Sequence, residues 1–301
     1  MKKHLLPPPL VLVVGILAVS VSAILIRFAQ GDAPSLVIAA GRTTIASLLL
    51  LPFCLGWRRA ELQRMSRTEW RLALLAGALL GVHFASWISS LAYTTVASST
   101  VLVTTSPLWV GIASPFLLKE KMSRSLIAGI ALALAGSAII ALWDVGGGGG
   151  GGSRPLLGNF LALVGAWMAA IYLIIGRRLR AHLSLLTYTT VVYGTAALFL
   201  LAAVILSGYP LIGYEPRTLA LFLLMALGPQ LLGHSSFNWA LAFLPASYVA
   251  VTLVSEPIGS SLLAYLFFQE KPGTGVWIGG SLIILGLLAA SLRRDAPITP
   301  Q

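Results

Sequence analysis

The chain is 301 residues long, 57% hydrophobic and only 10% charged, against about 25% charged residues in a soluble domain, so the expected core is a helix bundle in lipid and no sizeable soluble domain fits beside it. The net charge of +11 does not point to nucleic acid. The basic residues lie in short segments beside apolar runs, the pattern that sets membrane orientation, with no aromatic-interleaved basic patch outside them. Cys54 is the single cysteine, which excludes an internal disulfide.

Taken in chain order, Lys2-Lys3, an apolar run and Val21-Ser22-Ala23 resemble a cleavable signal peptide. The stretch 10–28 is nevertheless long enough to cross a bilayer, which takes about 20 residues, and it reads as a retained first span. Further spans are expected at 35–56, 72–93, 96–118 and 126–143. A second set follows at 157–175, 185–207, 218–243, 246–268 and 276–292. Turn chemistry marks the breaks at Gly31-Asp32-Ala33-Pro34, Tyr209-Pro210, Leu244-Pro245-Ala246-Ser247 and Lys271-Pro272-Gly273. The glycine run 146–152 with Ser153 reads as a flexible linker.

The two sets are copies. Displaced by 150 positions, Gly15 falls on Gly165, Arg27 on Arg177, Ser86 on Ser236 and Leu91 on Leu241. Pro107 falls on Pro257, Glu120-Lys121 on Glu270-Lys271, and Gly129 and Gly136 on Gly279 and Gly286. Five crossings per copy force the second copy to enter the membrane upside down. The expected fold is an all-α integral membrane protein of ten transmembrane helices in two inverted five-helix repeats, 1–145 and 154–301, joined by an outer linker at 146–153. Inverted repeats are the build of many secondary transporters, with the site near midplane where the repeats meet.

With both termini on one side, fifteen basic residues collect there, among them Lys2, Lys3, Arg58, Arg64, Lys119, Arg180, Arg293 and Arg294. Four lie opposite: Arg27, Arg154, Arg217 and Lys271. That bias puts both termini in the cytoplasm. A nine-span chain with a re-entrant segment near 209–250 divides the charges less cleanly.

Charges at bilayer depth cost roughly 2.5–3.5 kcal/mol on insertion scales. Two stand well inside spans, Arg42 in span 2 and Glu256 in span 9. One reading pairs them as a structural clamp. Arg42 is taken as a structural charge, since a guanidinium does not carry protons. For Glu256, desolvation favours a form that loads and releases a proton. Pro257 breaks the helix beside it, and the matching position in the first copy is Ser106 before Pro107.

His83, with Trp87 at i+4, and His234, with Asn238 at i+4, supply further groups of the kind found in proton relays. They miss the repeat spacing by one residue. Trp109, Trp167, Tyr172 and Tyr248 lie within spans rather than at their ends, as walls of a pocket for an organic molecule. Trp57, Trp70 and Trp143 read as interfacial anchors. Thr252 and Ser260 flank Glu256 at i−4 and i+4, and Gly77-x-x-x-Gly81 marks a helix contact. There is no metal-ligand spacing, no Gly-x-Ser-x-Gly and no phosphate loop. No enzyme activity, cofactor or metal is expected.

The residues resemble the drug/metabolite transporter superfamily, EamA type. The resemblance rests on Pro245-Ala246-Ser247, Glu256-Pro257, Glu270-Lys271, Ile278-Gly279 and Leu285-Gly286 in the second half. The first half carries Val96-Ala97-Ser98-Ser99, Pro107, Lys119-Glu120-Lys121, Gly129 and Gly136, with Arg42 where this family has an arginine in its second span. The resemblance implies ten helices, inverted repeats, a central cavity, and export of small metabolites such as amino acids, nucleosides or toxic amines. The run His83-Phe84-Ala85-Ser86-Trp87 looks characteristic of one bacterial branch without naming a substrate.

The expectation is an inner-membrane secondary transporter that exports a small organic metabolite by proton-coupled alternating access. The alternative is an uncoupled facilitator or solute exchanger of the same fold. His83, Trp87, Trp109, Trp167, Tyr172, His234, Asn238, Tyr248 and Thr252 are expected to form the substrate pocket, and Glu256 with His83 to handle the proton. Partners are the small-molecule substrate, protons and lipid, with no nucleic acid, for a monomer or homodimer.

Overall fold

The computed structural model describes residues 7–118, 124–145, 152–244 and 246–291. Lys2, Lys3, Lys119, Glu120, Lys121, Pro245, Arg293, Arg294 and the glycines at 146–151 lie outside the described residues. Regular structure among the described residues is helical throughout. Lipid offers the backbone no hydrogen-bond partners, so each crossing satisfies its own.

The first five helical paths are α1 (Pro8–Ser20) with α2 (Ser22–Ala29), α3 (Ser35–Trp57), α5 (Arg67–Ser90), α6 (Val96–Val103) with α7 (Ser106–Leu118), and α8 (Arg124–Val145). A short α4 (Arg59–Arg64) joins α3 to α5. Then come α9 (Pro155–Arg180), α10 (Leu185–Leu206) and α11 (Pro216–Met225), which runs through a π segment (Ala226–His234) into α12 (Ser235–Ala240). The last are α13 (Ala246–Thr252), a 3-10 turn (Leu253–Ser255), α14 (Glu256–Phe268) and α15 (Thr274–Ser291). Eight of these paths are long and apolar enough to cross a membrane, and two shorter apolar helices, Ile127–Ile140 and Thr274–Gly286, accompany them.

The expected boundaries shift most at the third span, which starts at Arg67 rather than 72 and ends at Ser90 rather than 93. A capping box explains the start: the Glu69 N–H donates to Ser66 Oγ at 3.2 Å and the Ser66 N–H to Glu69 Oε2 at 2.7 Å. The eighth span covers Pro216–Ala240 rather than 218–243.

Helix starts repeat with the 150-residue spacing: Ser35 and Leu185, Val96 and Ala246, Ser106 and Glu256, Arg124 and Thr274. The breaks at Ser106-Pro107 and Glu256-Pro257 are therefore equivalent. Proline lacks the N–H for the helical ladder, and in the turn before Pro107 the threonine hydroxyls fold back on their own helix: Thr104 Oγ1 donates to the Thr100 carbonyl at 2.8 Å and Thr105 Oγ1 to the Leu102 carbonyl at 2.7 Å.

Small residues set the packing. α5 runs antiparallel to α9, since His83 meets Gly165 while Thr94 Oγ1 donates to Asn159 Oδ1 at 3.0 Å. Gly77 and Gly81 bring α5 against Thr195 and Phe199 of α10, so this glycine pair is used inside the bundle. α8 crosses α15 at Gly136, where an added Cβ would lie 2.4 Å from the Gly279 carbonyl oxygen.

Arg27 Nη1 donates to the Leu91 carbonyl at 2.7 Å and Arg177 Nη1 to the Leu241 carbonyl at 2.6 Å. The same residue of each copy thus closes the same turn. Because α5 and α9 are antiparallel, Arg27 ties the end of the bundle where α5 finishes and Arg177 the end where α5 begins. Carboxylates add ties between the copies. The Ser184 N–H donates to Glu61 Oε1 at 2.5 Å, the Val96 N–H to Glu270 Oε1 at 2.9 Å, and the Glu215 N–H to Asp32 Oδ2 at 3.0 Å.

Candidate functional site

Four interruptions of regular α-helix surround one place: the kink at Val21, the break before Ser106, the π segment and the 3-10 turn before Glu256. Irregular backbone at membrane depth is tolerated where it lines a cavity, and π turns often mark functional sites. Ser22, Ser106, His234 and Glu256 come from these interruptions and line a shared central cavity with His83, Tyr172, Leu80, Trp87 and Phe237. Its volume is about 50 Å³. At about 10–15 Å³ per water that holds some four waters, far less than the roughly 300 Å³ of a small-molecule pocket. The site is closed down in this conformation.

Glu256 opens α14 and is 6% exposed. It has no ion-pair partner; among the described residues the one ion pair is Arg58–Glu61, at 4.0 Å. His83 Nδ1 lies 2.9 Å from the Gly165 carbonyl oxygen. A carbonyl only accepts, so in the neutral ring Nδ1 carries the hydrogen and Nε2 is left as an acceptor. The His83 ring stacks on Trp87 at 6.1 Å and meets His234 edge-on at 6.2 Å. The indole N–H of Trp87 has no hydrogen-bond partner. Tyr172 donates its hydroxyl to Asn238 Oδ1 at 2.5 Å, and Asn238 Nδ2 donates to the Tyr193 hydroxyl at 3.3 Å. The cavity thus presents one carboxyl group, two imidazoles and aromatic walls.

Of the residues expected to bind substrate, His83, Trp87, Tyr172 and His234 line the cavity beside Glu256. Asn238 stands behind the wall and holds Tyr172. Trp109 and Trp167 meet edge-to-face at 5.3 Å, and Trp109 Nε1 donates to Thr105 Oγ1 at the α6–α7 break, which makes them packing around that break. Tyr248 is 43% exposed on the outside of α13. Thr252 turns its hydroxyl back to the Val249 carbonyl at 2.7 Å. Neither of these two reaches the cavity.

The alternative reading, an Arg42–Glu256 clamp, is not realised among the described residues. Arg42 is fully buried, and its Nη1 donates to Ser22 Oγ and its Nη2 to Gln230 Oε1, both at 3.0 Å, with Cζ 4.8 Å over the Phe84 ring. Sequence reasoning overlooked Gln230. A glutamine beside Gly228-Pro229 in mid-span was the available signal.

The two ends of the bundle differ. Towards Arg58 a cleft of about 1230 Å³ opens between Trp57, Arg64, Arg180, His182 and Trp239, and it reaches Ser235, the neighbour of His234. Glu61 lies on its wall. Burial pushes this carboxyl up, but hydrogen bonds from the Ser184 N–H and from the Ser184 and Thr187 hydroxyls, with Arg58 nearby, hold it below the usual carboxylate range. Towards Arg27 aromatic rings pack: Phe28 meets Phe268 at 5.0 Å and Phe267 at 6.0 Å. Arg27 lies over Phe268 at 5.8 Å and Arg217 over Phe28 at 5.6 Å.

The EamA-like transporter family profile matches twice, over residues 7–142 and 156–292. The chain belongs to this family. It is thus a multi-pass membrane transporter built of two copies of the family's repeat, in a family of transporters rather than enzymes. An uncharacterized transporter of Archaeoglobus fulgidus is 25% identical over 84% of this chain and 86% of its own length. A probable terminal-alkyne amino-acid exporter of Streptantibioticus cattleyicolor is 23% identical over 65% of this chain and 64% of its own. A solved crystal structure shares the fold with a TM-score of 0.67, at 21% identity over 95% of this chain and 96% of that one.

Proposed function

We propose that this transporter exports a small organic solute in exchange for protons by alternating access, with Glu256 as the acid that holds first one and then the other. The observation that carries the reading is a buried, unpaired carboxylate on the wall of a closed central cavity. A proton bound at Glu256 from one side neutralises the group. When it leaves on the other side, the bare carboxylate attracts a cationic group of the cargo, with His83 Nε2 as a second acceptor. The aromatic walls favour an organic cargo.

The ten helical paths form two inverted five-helix repeats, 1–145 and 154–301, linked at 146–153 on the outer side. The placement of Arg27 and Arg177 at opposite ends supports inversion. Basic residues gather at the Arg58 end, so that end and both termini are cytoplasmic, in the inner (plasma) membrane. The open cleft then faces the cytoplasm, from which an exporter loads. The amino-acid exporter among the relatives makes amino acids the first class to try, followed by amines and nucleosides.

The test is solute-induced proton movement in proteoliposomes. Saturable proton movement with one solute class is expected. Glu256→Gln should abolish proton-driven accumulation while retaining solute exchange, and intact accumulation in that variant would overturn the reading.

A further inference from the structure

Arg42 is a buried cation without a counter-ion. Its two bonded partners are neutral, its Nε has no partner, and neither does the Nε2 of Gln230. An arrangement of this kind is costly in a membrane. The acid at hand is Glu256, on the wall of the cavity that Ser22 also lines. Ser22 shows how near: its hydroxyl receives Arg42 Nη1, and it lines the same cavity as Glu256. An arginine on a flexible stem would be expected to swing onto such a carboxylate. It is held back from both sides, by Ser22 at the α1–α2 kink and by Gln230 in the π segment. Gln230 is itself fixed, since its carbonyl accepts from the Ser235 N–H at the end of the π segment and from the Tyr193 hydroxyl at 3.4 Å.

We infer that Gln230 is a positioning residue: with Ser22 it tethers Arg42 away from Glu256, so that the carboxylate stays free for a proton or a cationic cargo. Without the tether, the guanidinium neutralises the acid from within and the transporter loses the group it couples with. The π segment gains a role, because Gln230, which it carries, is the residue that holds Arg42 Nη2. The groups facing Glu256 across the cavity are His83 from α5, His234 from the π segment and Tyr172 from α9, with Arg42 from α3 behind Ser22. Only Arg42 carries a permanent charge. The inference rests on the proposed role of Glu256 as an acid that takes up protons.

The experiment needs no knowledge of the cargo. Dicyclohexylcarbodiimide adds to protonated carboxyl groups in apolar surroundings, and intact-mass spectrometry of the purified full chain counts the adduct. Glu256→Gln subtracts labelling at other carboxyls. In the parent protein Glu256 labels. Gln230→Leu should slow that labelling about tenfold, because an opposite charge brought within reach shifts a carboxyl towards its ionised form by one unit or more. Adding Arg42→Gln to Gln230→Leu should restore it, which a merely structural role for Gln230 would not do. If Gln230→Leu fails to fold, Ser22→Ala cuts the other tether and should slow labelling in the same direction.

Labelling of Glu256 at the parent rate in the tether variants overturns the inference and leaves the proton role of Glu256 standing. A slowing that Arg42→Gln does not reverse overturns it equally. No labelling of Glu256 in the parent removes the proton role itself, and the inference with it.

Discussion

Two equivalent breaks, Ser106-Pro107 and Glu256-Pro257, start helices 150 positions apart and line the same cavity. One carries a hydroxyl and the other a carboxyl. Duplication fixed the backbone geometry twice, and chemistry entered on one side only. A proline break needs no particular neighbour, so the preceding position is free to hold a charge in one copy and a small polar group in the other. The ends of the bundle carry the same lesson: matching arginines close matching turns, while one end is packed with phenylalanine and the other opens as a cleft.

The sharpest way to break this comparison is at the two kinks. Glu256→Gln should abolish proton-driven accumulation, whereas Ser106→Ala changes it by no more than about a few-fold. Transport assays in proteoliposomes that found equal losses would mean the asymmetry has no functional weight.

Next in size are the crossing glycines of α8 and α15. Gly136→Val and Gly279→Val each force a branched side chain against backbone at 2.4 Å. Each should cost about 3 kcal/mol, the upper part of the range for overpacking, seen as loss of folded protein in a detergent thermal melt. An unchanged melt for either would show that the two helices separate freely.

The arginine pair comes third. Arg27→Ala and Arg177→Ala each remove a charged hydrogen bond to a carbonyl, worth about 1–2 kcal/mol when half-buried. Arg27→Ala should lose slightly more, since it also gives up Phe268. Melting curves that moved for one and not the other would show that only one end of the bundle is held by this turn.

The smallest effect is in pH dependence, and the two cross-copy carboxylates should differ in sign. Glu61 is held below its unfolded value. Its contribution is present above the unfolded carboxylate range and fades as pH falls through the lower folded value. Glu61→Gln should therefore destabilise at neutral pH, with the gap closing in acid. Glu270 is pushed up by burial, with Arg27 and the Val96 N–H pulling it partly back. The folded state then loses stability as pH rises through the window between its unfolded and raised values. Glu270→Gln should gain relative stability with rising pH across that window. Parallel pH profiles for the two variants would contradict the opposed shifts.

Most of the fold was legible because lipid makes hydrophobic length a direct measure of a crossing, and because the 150-residue spacing tied weak signals in one half to stronger ones in the other. Start and stop positions were less so. The third span begins at the Ser66–Glu69 capping box, inside a polar stretch that hydropathy alone discounts. Within the site, Glu256, His83, Trp87, Tyr172 and His234 stood out as polar or aromatic groups in apolar runs, and they do meet. Trp109, Trp167, Tyr248 and Thr252 were equally conspicuous, yet which side of a helix faces inward beyond a proline break depends on how far the break rotates it.

The closed cavity, with room for some four waters, has a consequence for selectivity. A solute larger than that displaced water enters only by spreading helices already packed together. Part of its attraction to the walls is consumed in that opening, so equilibrium affinity will understate the strength of the contacts made. Two solutes of equal affinity can then move at very different speeds, with the faster one being whichever spends more of its attraction on the half-opened form. Discrimination by this transporter should accordingly be sought in rates of passage rather than in tightness of binding.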